Sequence, residues 1–178
     1  TGKTDILVFG RHDDGTSDYY SVTISPDATH PVVLACFELI SSRNGISDFV
    51  TTPVEYFDPE LALYDSAENP VLIVDDSFFS DPHLCQKVTT IGDNTYFIGI
   101  DESSFAVFNA DADYILKYTE RRFSATVDES IPDGNDTSAT AEAVAYGNLV
   151  TGDLSDAGDE DFFKFSATNG DMIRIEHY

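Results

Sequence analysis

Short apolar segments with the two-residue alternation of β-strands recur along most of this chain, and turn-forming residues separate them. The predicted strands cover residues 6–9, 20–24, 32–39, 61–64, 71–74, 95–100, 114–118 and 161–166. Breaks rich in Asp, Asn, Gly and Pro come about every 10 to 20 residues, which is the rhythm of an antiparallel sandwich or barrel. Only 138–146 has the Ala and Glu content that favours a helix, and it is short. The pattern therefore predicts an all-β fold.

The chain is strongly acidic, with a formal net charge of -24 at pH 7. A charge of this sign and size argues against nucleic acid as a partner. Three explanations stay open at this point: bound calcium, a salty environment, or simply a soluble surface. The chain also has 13 Phe and 9 Tyr with a hydrophobic fraction of 42%, so its acidity does not indicate disorder.

The sequence contains no apolar run of the roughly 18 residues that a membrane helix needs, and residues 1–4 lack an apolar signal core. We therefore expect no membrane span and mature or excised material. The two cysteines, Cys36 and Cys85, are compatible with a disulfide that closes a loop of about 50 residues. They are equally compatible with two buried thiols, because 32–37 has the composition of a core strand.

Residues 124–137 are polar, contain Pro and Gly and lack apolar periodicity, so we predict a linker there. This places a first β-sandwich at 1–123 and the start of a second unit at 138–178. The second unit repeats the first. Leu149, Val150, Gly152, Asp156, Gly158, Asp161, Phe162 and Phe163 align, with one gap, to Leu7, Val8, Gly10, Asp13, Gly15, Asp18, Tyr19 and Tyr20.

The second copy ends at Tyr178, about 35 residues after it begins, and half a sandwich cannot close on itself. We expect it to pack on the first domain, to pair with another molecule, or to be the cut end of a longer protein. The predicted fold is thus one complete sandwich followed by a partial second copy.

Three groups of residues resemble the bacterial pre-peptidase C-terminal domain. The first is the Asn-Asp-Thr opening with an Ala-rich continuation at 135–141, and the second is Gly, an acidic turn and Asp-aromatic-aromatic at 152–163 and 10–20. The third comprises 57–65, 74–76, 92–100 and 114–116 in that order. The first copy departs from the pattern because it lacks the Asn-Asp-Thr opening, and it carries an extra stretch, 41–55, of unassigned role.

The resemblance implies an antiparallel, jelly-roll-like β-sandwich attached to secreted peptidases or repeated in surface proteins. The related collagen-binding domains of clostridial collagenases bind calcium through the acidic segment that leads into the domain and the acidic turn before the aromatic pair. Carried over to this chain, the resemblance implies the calcium ligands Asp133, Asn135, Asp136, Asp159 and Asp161. The alternative is an acidic turn that is merely solvated. The first copy retains only Asp13, Asp14 and Asp18, which predicts a weaker site.

No pattern in the sequence indicates catalysis. It has no nucleophile elbow, P-loop or dinucleotide fingerprint. The histidines are scattered, and none stands at zinc-ligand spacing with another histidine or with a cysteine. They are His12, His30, His83 and His177. Phe78 and Phe79 follow an acidic pair in an expected loop, so they are the preferred exposed aromatic contact, although most aromatic residues are expected in the core.

Together these features predict a non-catalytic, calcium-stabilised module of a secreted or cell-surface protein. Such a module would bind an extracellular protein or glycan polymer, or would space other domains. The alternative is a subunit of a self-assembling extracellular fibre, in which neighbouring copies complete the partial sandwich by strand exchange.

Overall fold

The computed structural model describes residues 3–12, 16–41, 59–75, 82–102, 112–129, 134–152 and 159–176. All regular elements in these ranges are strands. They are β1 (Lys3–His12), β2 (Asp18–Ile24), β3 (Val32–Ser41), β4 (Pro59–Tyr64), β5 (Pro70–Asp75), β6 (His83–Val88), β7 (Asn94–Glu102), β8 (Ala112–Phe123), β9 (Ala125–Asp128), β10 (Glu142–Ala143), β11 (Asn148–Thr151) and β12 (Phe163–Lys164). Within the same ranges, no helix has the length and apolar character needed to cross a membrane.

The first eight strands form two antiparallel four-stranded sheets, with orders β1-β8-β3-β6 and β2-β7-β4-β5. Nearly every connection between successive strands crosses from one sheet to the other, and the first and last strands of the eight are neighbours. This is the connectivity of a jelly roll. The predicted all-β, jelly-roll-like sandwich is confirmed.

The core lies between the two sheets because apolar side chains alternate along each strand. On β3, Val33, Ala35, Phe37 and Leu39 are buried and belong to the cluster that also contains Leu61 and other residues of the facing sheet. The period of two turns the intervening β3 residues to the outer face of the first sheet. Phe37 stacks on Tyr118 with ring centroids 5.1 Å apart, which anchors the centre of this core.

Each strand predicted from the first 123 residues is confirmed within β1 to β5, β7 or β8. Strand β6 was not predicted, because the polar residues His83, Gln86 and Lys87 make up half of it and interrupt the apolar pattern. The segment 138–146 contains turns and β10 and no helix. In the strand predicted at 161–166, only Phe163–Lys164 is regular.

The stretch 124–137 predicted as a linker contains a strand. Strand β9 pairs in parallel with β11, so Leu149 lies opposite Thr126. Leu149 is 8% exposed and packs with Val32, Leu34 and Cys36 on the outer face of the first sheet. Residues 134–176, which we call the C-terminal segment, are therefore joined by backbone pairing to β9, which follows β8 directly, and by a small second core to the outer face of the first sheet.

Candidate metal centre

Backbone hydrogen bonds help to bring together the end of β9 and two stretches of the C-terminal segment. The amide of Phe162 donates to the carbonyl of Asn135 at 3.0 Å, which places Asn135 beside Asp161. The amide of Glu129 donates to the carbonyl of Thr151 at 2.9 Å and extends the β9–β11 pairing by one residue. The end of β9, the Asn135 turn and the stretch before β12 thus meet at one point.

Gly152 forms one wall of this meeting point. A Cβ atom built on Gly152 would lie 3.2 Å from Oδ2 of Asp161 and 3.2 Å from Oε2 of Glu129. Any side chain at position 152 would therefore crowd both carboxylates. The two acidic groups consequently face one small space, which we call the Asp161 cluster and define as Glu129, Asn135, Asp159 and Asp161.

Three of the four residues in the Asp161 cluster are acidic, and their interaction changes the pKa of Asp161. The pKa of Asp161 is raised, first by its hydrogen bond with Glu129, then by burial, and further by the negative charges of Glu129 and Asp159. A hydrogen bond between two carboxyl groups requires a proton on one of them. The cluster therefore retains a proton more readily than isolated carboxyl groups do.

The polar side-chain atoms of Asn135 lack hydrogen-bond partners among the described residues. The residue is only 1% exposed. Its amide lies close enough to Asp161 to favour the ionised carboxylate, yet neither Nδ2 nor Oδ1 makes a hydrogen bond of good geometry with any described residue. Oδ1 of Asp161 is likewise buried without a partner among them. Buried polar atoms almost always have partners, so these atoms are candidates for contact with a ligand.

The predicted ligands differ in where they lie. Asn135 and Asp161 are neighbours, and Asp159 is close enough for its charge to raise the pKa of Asp161. Asp136 is exposed, and Asp133 lies outside the described residues. Glu129 was missed, although it belongs to the acidic segment leading into the second copy. Its proximity to Asp161 arises from the β9–β11 pairing.

Asp18, which aligns with Asp161 in the predicted repeat, accepts a hydrogen bond from a protein donor. The hydroxyl of Tyr114 donates to Oδ2 of Asp18 at 2.6 Å, and the hydroxyls of Tyr20 and Tyr114 are 2.7 Å apart. Burial and the hydrogen bond to Asp18 raise the pKa of Tyr114. Gly10 gives the Tyr114 ring its space, because a Cβ there would lie 2.3 Å from Cζ. Asp13 and Asp14 lie outside the described residues.

Cys36 and Cys85 form a disulfide between β3 and β6, so the structure contains the first of the two alternatives that the sequence left open. No histidine stands at zinc-ligand spacing with a cysteine in the sequence, yet the structure places one histidine beside a cysteine. His83 lies two residues before Cys85 on the same face of β6, and its Nε2 is 3.6 Å from Sγ of Cys85. Strand periodicity and pairing create this contact, which the sequence spacings of metal sites do not describe.

A cleft of about 1070 Å³ lies between the outer face of the first sheet and the C-terminal segment. Four of the cations of this acidic chain line it: Lys87, Arg121, Arg122 and Arg174. Each has a carboxylate partner, such as Asp128 at 2.9 Å from Lys87 and Glu120 at 2.6 Å from Arg122. Their charges are therefore neutralised within the chain, and we assign the cleft no ligand. Phe78 and Phe79, the predicted aromatic contact, lie outside the described residues.

In comparisons with known proteins, no protein-family model matches this chain, and no curated protein matches it.

Proposed function

We propose that this chain is a non-catalytic module of an extracellular protein and that calcium, bound at the Asp161 cluster, holds its C-terminal segment on the sandwich. The observation that carries the proposal is the buried Asn135 side chain, whose oxygen and nitrogen both lack a partner among the described residues. The amide lies beside Asp161, whose pKa is raised by the neighbouring carboxyl groups of Glu129 and Asp159.

Calcium suits this arrangement because it takes six to eight oxygen ligands at about 2.3–2.6 Å in flexible geometry. The amide oxygen of Asn135 and the carboxylates of Glu129, Asp159 and Asp161 would supply a neutral ligand and three negative ones. Binding would displace the proton shared by Glu129 and Asp161 and would turn their repulsion into attraction for one cation. The resemblance to collagen-binding domains adds Asp133 and Asp136 to the proposed ligands.

The bound calcium would hold separate stretches of the chain together and would take no part in a reaction. Glu129 follows β9, Asn135 lies between β9 and β10, and Asp161 precedes β12. A cation shared by these residues would tie three stretches that otherwise meet through a few backbone hydrogen bonds. A rigid junction of this kind suits a module that presents a surface to an extracellular protein or glycan polymer, or that fixes the spacing of its neighbours.

The proposed location outside the cell, secreted or on the cell surface, rests on two features. The Cys36–Cys85 disulfide is the kind of cross-link that forms and persists in oxidising environments. The strongly acidic composition suits a calcium-containing medium, in which cations can collect on the surface.

A thermal melt of the purified chain in calcium and then in excess chelator, with light scattering on the same samples, tests the proposal. We expect chelation to lower the melting temperature at unchanged monomer mass, because a ligand bound only to the folded chain stabilises it. Asp161→Asn should remove most of the calcium effect. Asp93→Asn is the matched control, because the Asp93 carboxylate lies at a surface turn and accepts a hydrogen bond from Ser25. A melting temperature that does not respond to calcium would refute the site.

A second candidate function is a subunit of an extracellular fibre in which neighbouring copies exchange strands. It is favoured by apolar side chains that the C-terminal segment leaves exposed, with Met172 98% and Ile175 82% exposed. Such side chains would gain from burial against a neighbouring copy. Large assemblies that persist in mild denaturant and do not depend on calcium would favour this candidate over the monomeric module.

A further inference from the structure

Three side chains with affinity for soft metal ions converge on the outer face of the first sheet. Cys36 on β3 lies directly opposite Cys85 on β6, and His83 lies two residues earlier on β6. One ligand atom from each of these residues lies within 4.8 Å of the other two. Cys36 is buried, Cys85 is half-buried and His83 is exposed. The group therefore reaches the protein surface at His83.

The geometry follows from strand periodicity and register. Residues i and i+2 of a strand share a face, which brings His83 beside Cys85. The antiparallel pairing then places Cys36 across from Cys85 with their Cα atoms 4.1 Å apart. Zinc bonded to a thiolate at about 2.3 Å and to an imidazole nitrogen at about 2.0 Å in a tetrahedron holds these two ligand atoms about 3.5 Å apart. Nε2 of His83 and Sγ of Cys85 are already separated by 3.6 Å.

We propose that the reduced form of this chain binds a zinc ion, or a similar soft divalent cation, through Cys36, Cys85 and His83, with water in the fourth position. In the disulfide form the sulfur atoms carry no negative charge and the site does not exist. A dithiol reductant would supply two electrons and two protons, becoming a cyclic disulfide while the two cysteines become thiols. Zinc would then displace both thiol protons, which are released to solvent, and bind the two thiolates.

Two further features of the structure support a site that reductant and metal can reach. Cys85 and Lys87 line the cleft beneath the C-terminal segment, so this sulfur faces a cavity and not the central core. Leu149 packs in the same small cluster as Cys36 and Cys85. The proposed site is thus next to the docking point of β11, while its ligands are separate from the Asp161 cluster.

The test uses the full chain with cobalt(II) as a coloured substitute for zinc. We expect the chain reduced with a phosphine to develop thiolate-to-cobalt charge-transfer absorption that zinc abolishes, and the disulfide form to show none. His83→Gln should weaken cobalt binding at least about 10-fold, the minimum loss seen when even an outer-shell partner is removed. His30→Gln is the matched control, because His30 lies at a surface turn beside Asp27, and its cobalt affinity should equal that of the wild type.

Near-ultraviolet circular dichroism on the same samples separates a folded site from thiols of an unfolded chain. A folded signal in the zinc-bound reduced chain supports the proposal, whether or not the metal-free reduced chain keeps that signal. Cobalt binding that leaves the reduced chain unfolded would overturn it. Equal cobalt affinity in the wild type and His83→Gln would overturn it as well, because His83 would then be no ligand.

Discussion

Replacing Asn135 with leucine should change the stability of this protein in opposite directions with and without calcium. Leucine has nearly the shape of asparagine but carries no polar atoms. In chelator, the wild type buries an amide with no hydrogen-bond partner among the described residues, which costs about 1–3 kcal/mol. Asn135→Leu removes that cost, so we expect the variant to be more stable than the wild type by about this amount.

In calcium the order of stability should reverse. At a calcium concentration a thousandfold above the dissociation constant, binding adds about 4 kcal/mol to the stability of the folded wild type. The variant has lost an oxygen ligand and most of that gain. It should therefore be less stable than the wild type by about 1–3 kcal/mol, the difference between the lost binding term and the relieved burial cost.

Urea unfolding at fixed pH, with saturating calcium or with chelator, measures both differences. Asn94→Leu is the control, because Nδ2 of Asn94 donates to the carbonyls of Ile24, Thr90 and Gly92 at 2.8 to 3.2 Å. That amide has protein partners, so the control should lose the same stability in both conditions. If Asn135→Leu is also equally destabilised with and without calcium, its role is structural and the reasoning from unpartnered atoms is refuted.

Three other measurements follow from the structure. Gly10→Ala would place a Cβ 2.3–2.6 Å from the Tyr114 ring, so we expect a loss of about 2–4 kcal/mol in urea unfolding, and an unchanged midpoint would contradict the close packing. Serine at both Cys36 and Cys85 should cost about 4 kcal/mol, since their separation of 49 residues fixes a long loop in the unfolded chain, and a loss below about 1 kcal/mol would argue against that estimate. Because the folded pKa of Asp161 is raised, the calcium-free protein should lose stability as pH rises from the ordinary carboxyl pKa through that raised value. Calcium should remove this loss of stability with rising pH, which urea-unfolding midpoints measured at several acidic pH values would show. If stability still falls with rising pH in calcium, calcium does not displace the proton.

The strands of the sandwich could be predicted because each carries its own signal. On β3 and β7 the core-facing positions are apolar, so the local pattern alone identifies the strand. Strand β6 lacked this signal because Gln86 and Lys87 interrupt its apolar positions. Strand β9 also lacked a local apolar signal, because it is held by parallel pairing with β11, which lies about 20 residues further along the chain.

The proposed sites differ in predictability for the same reason. Asn135 and Asp161 were found through the resemblance of short motifs, which are local. Glu129 approaches Asp161 only through the register of β9 and β11, and His83 approaches Cys36 only through the register of β3 and β6. Register is set by the whole sheet, so a list of residue spacings could not reveal either contact.

Asp18 and Asp161, which align in the predicted repeat, are both carboxylates but have different neighbours. At Asp18 the hydroxyl of Tyr114 on β8 donates to the carboxylate, so a protein donor stabilises the charge. Among the described residues, the carboxyls of Glu129 and Asp159 act on Asp161 and, together with burial, raise its pKa, while the amide of Asn135 lowers it. A carboxylate that already accepts a hydrogen bond from a protein donor gains less from a metal than one surrounded by other carboxylates. We therefore expect calcium at Asp161 and not at Asp18, so that Asp18→Asn leaves the calcium-dependent melting shift intact while Asp161→Asn removes it. Equal loss of the shift in both variants would show that the aligned positions are not distinguished by the hydroxyl of Tyr114.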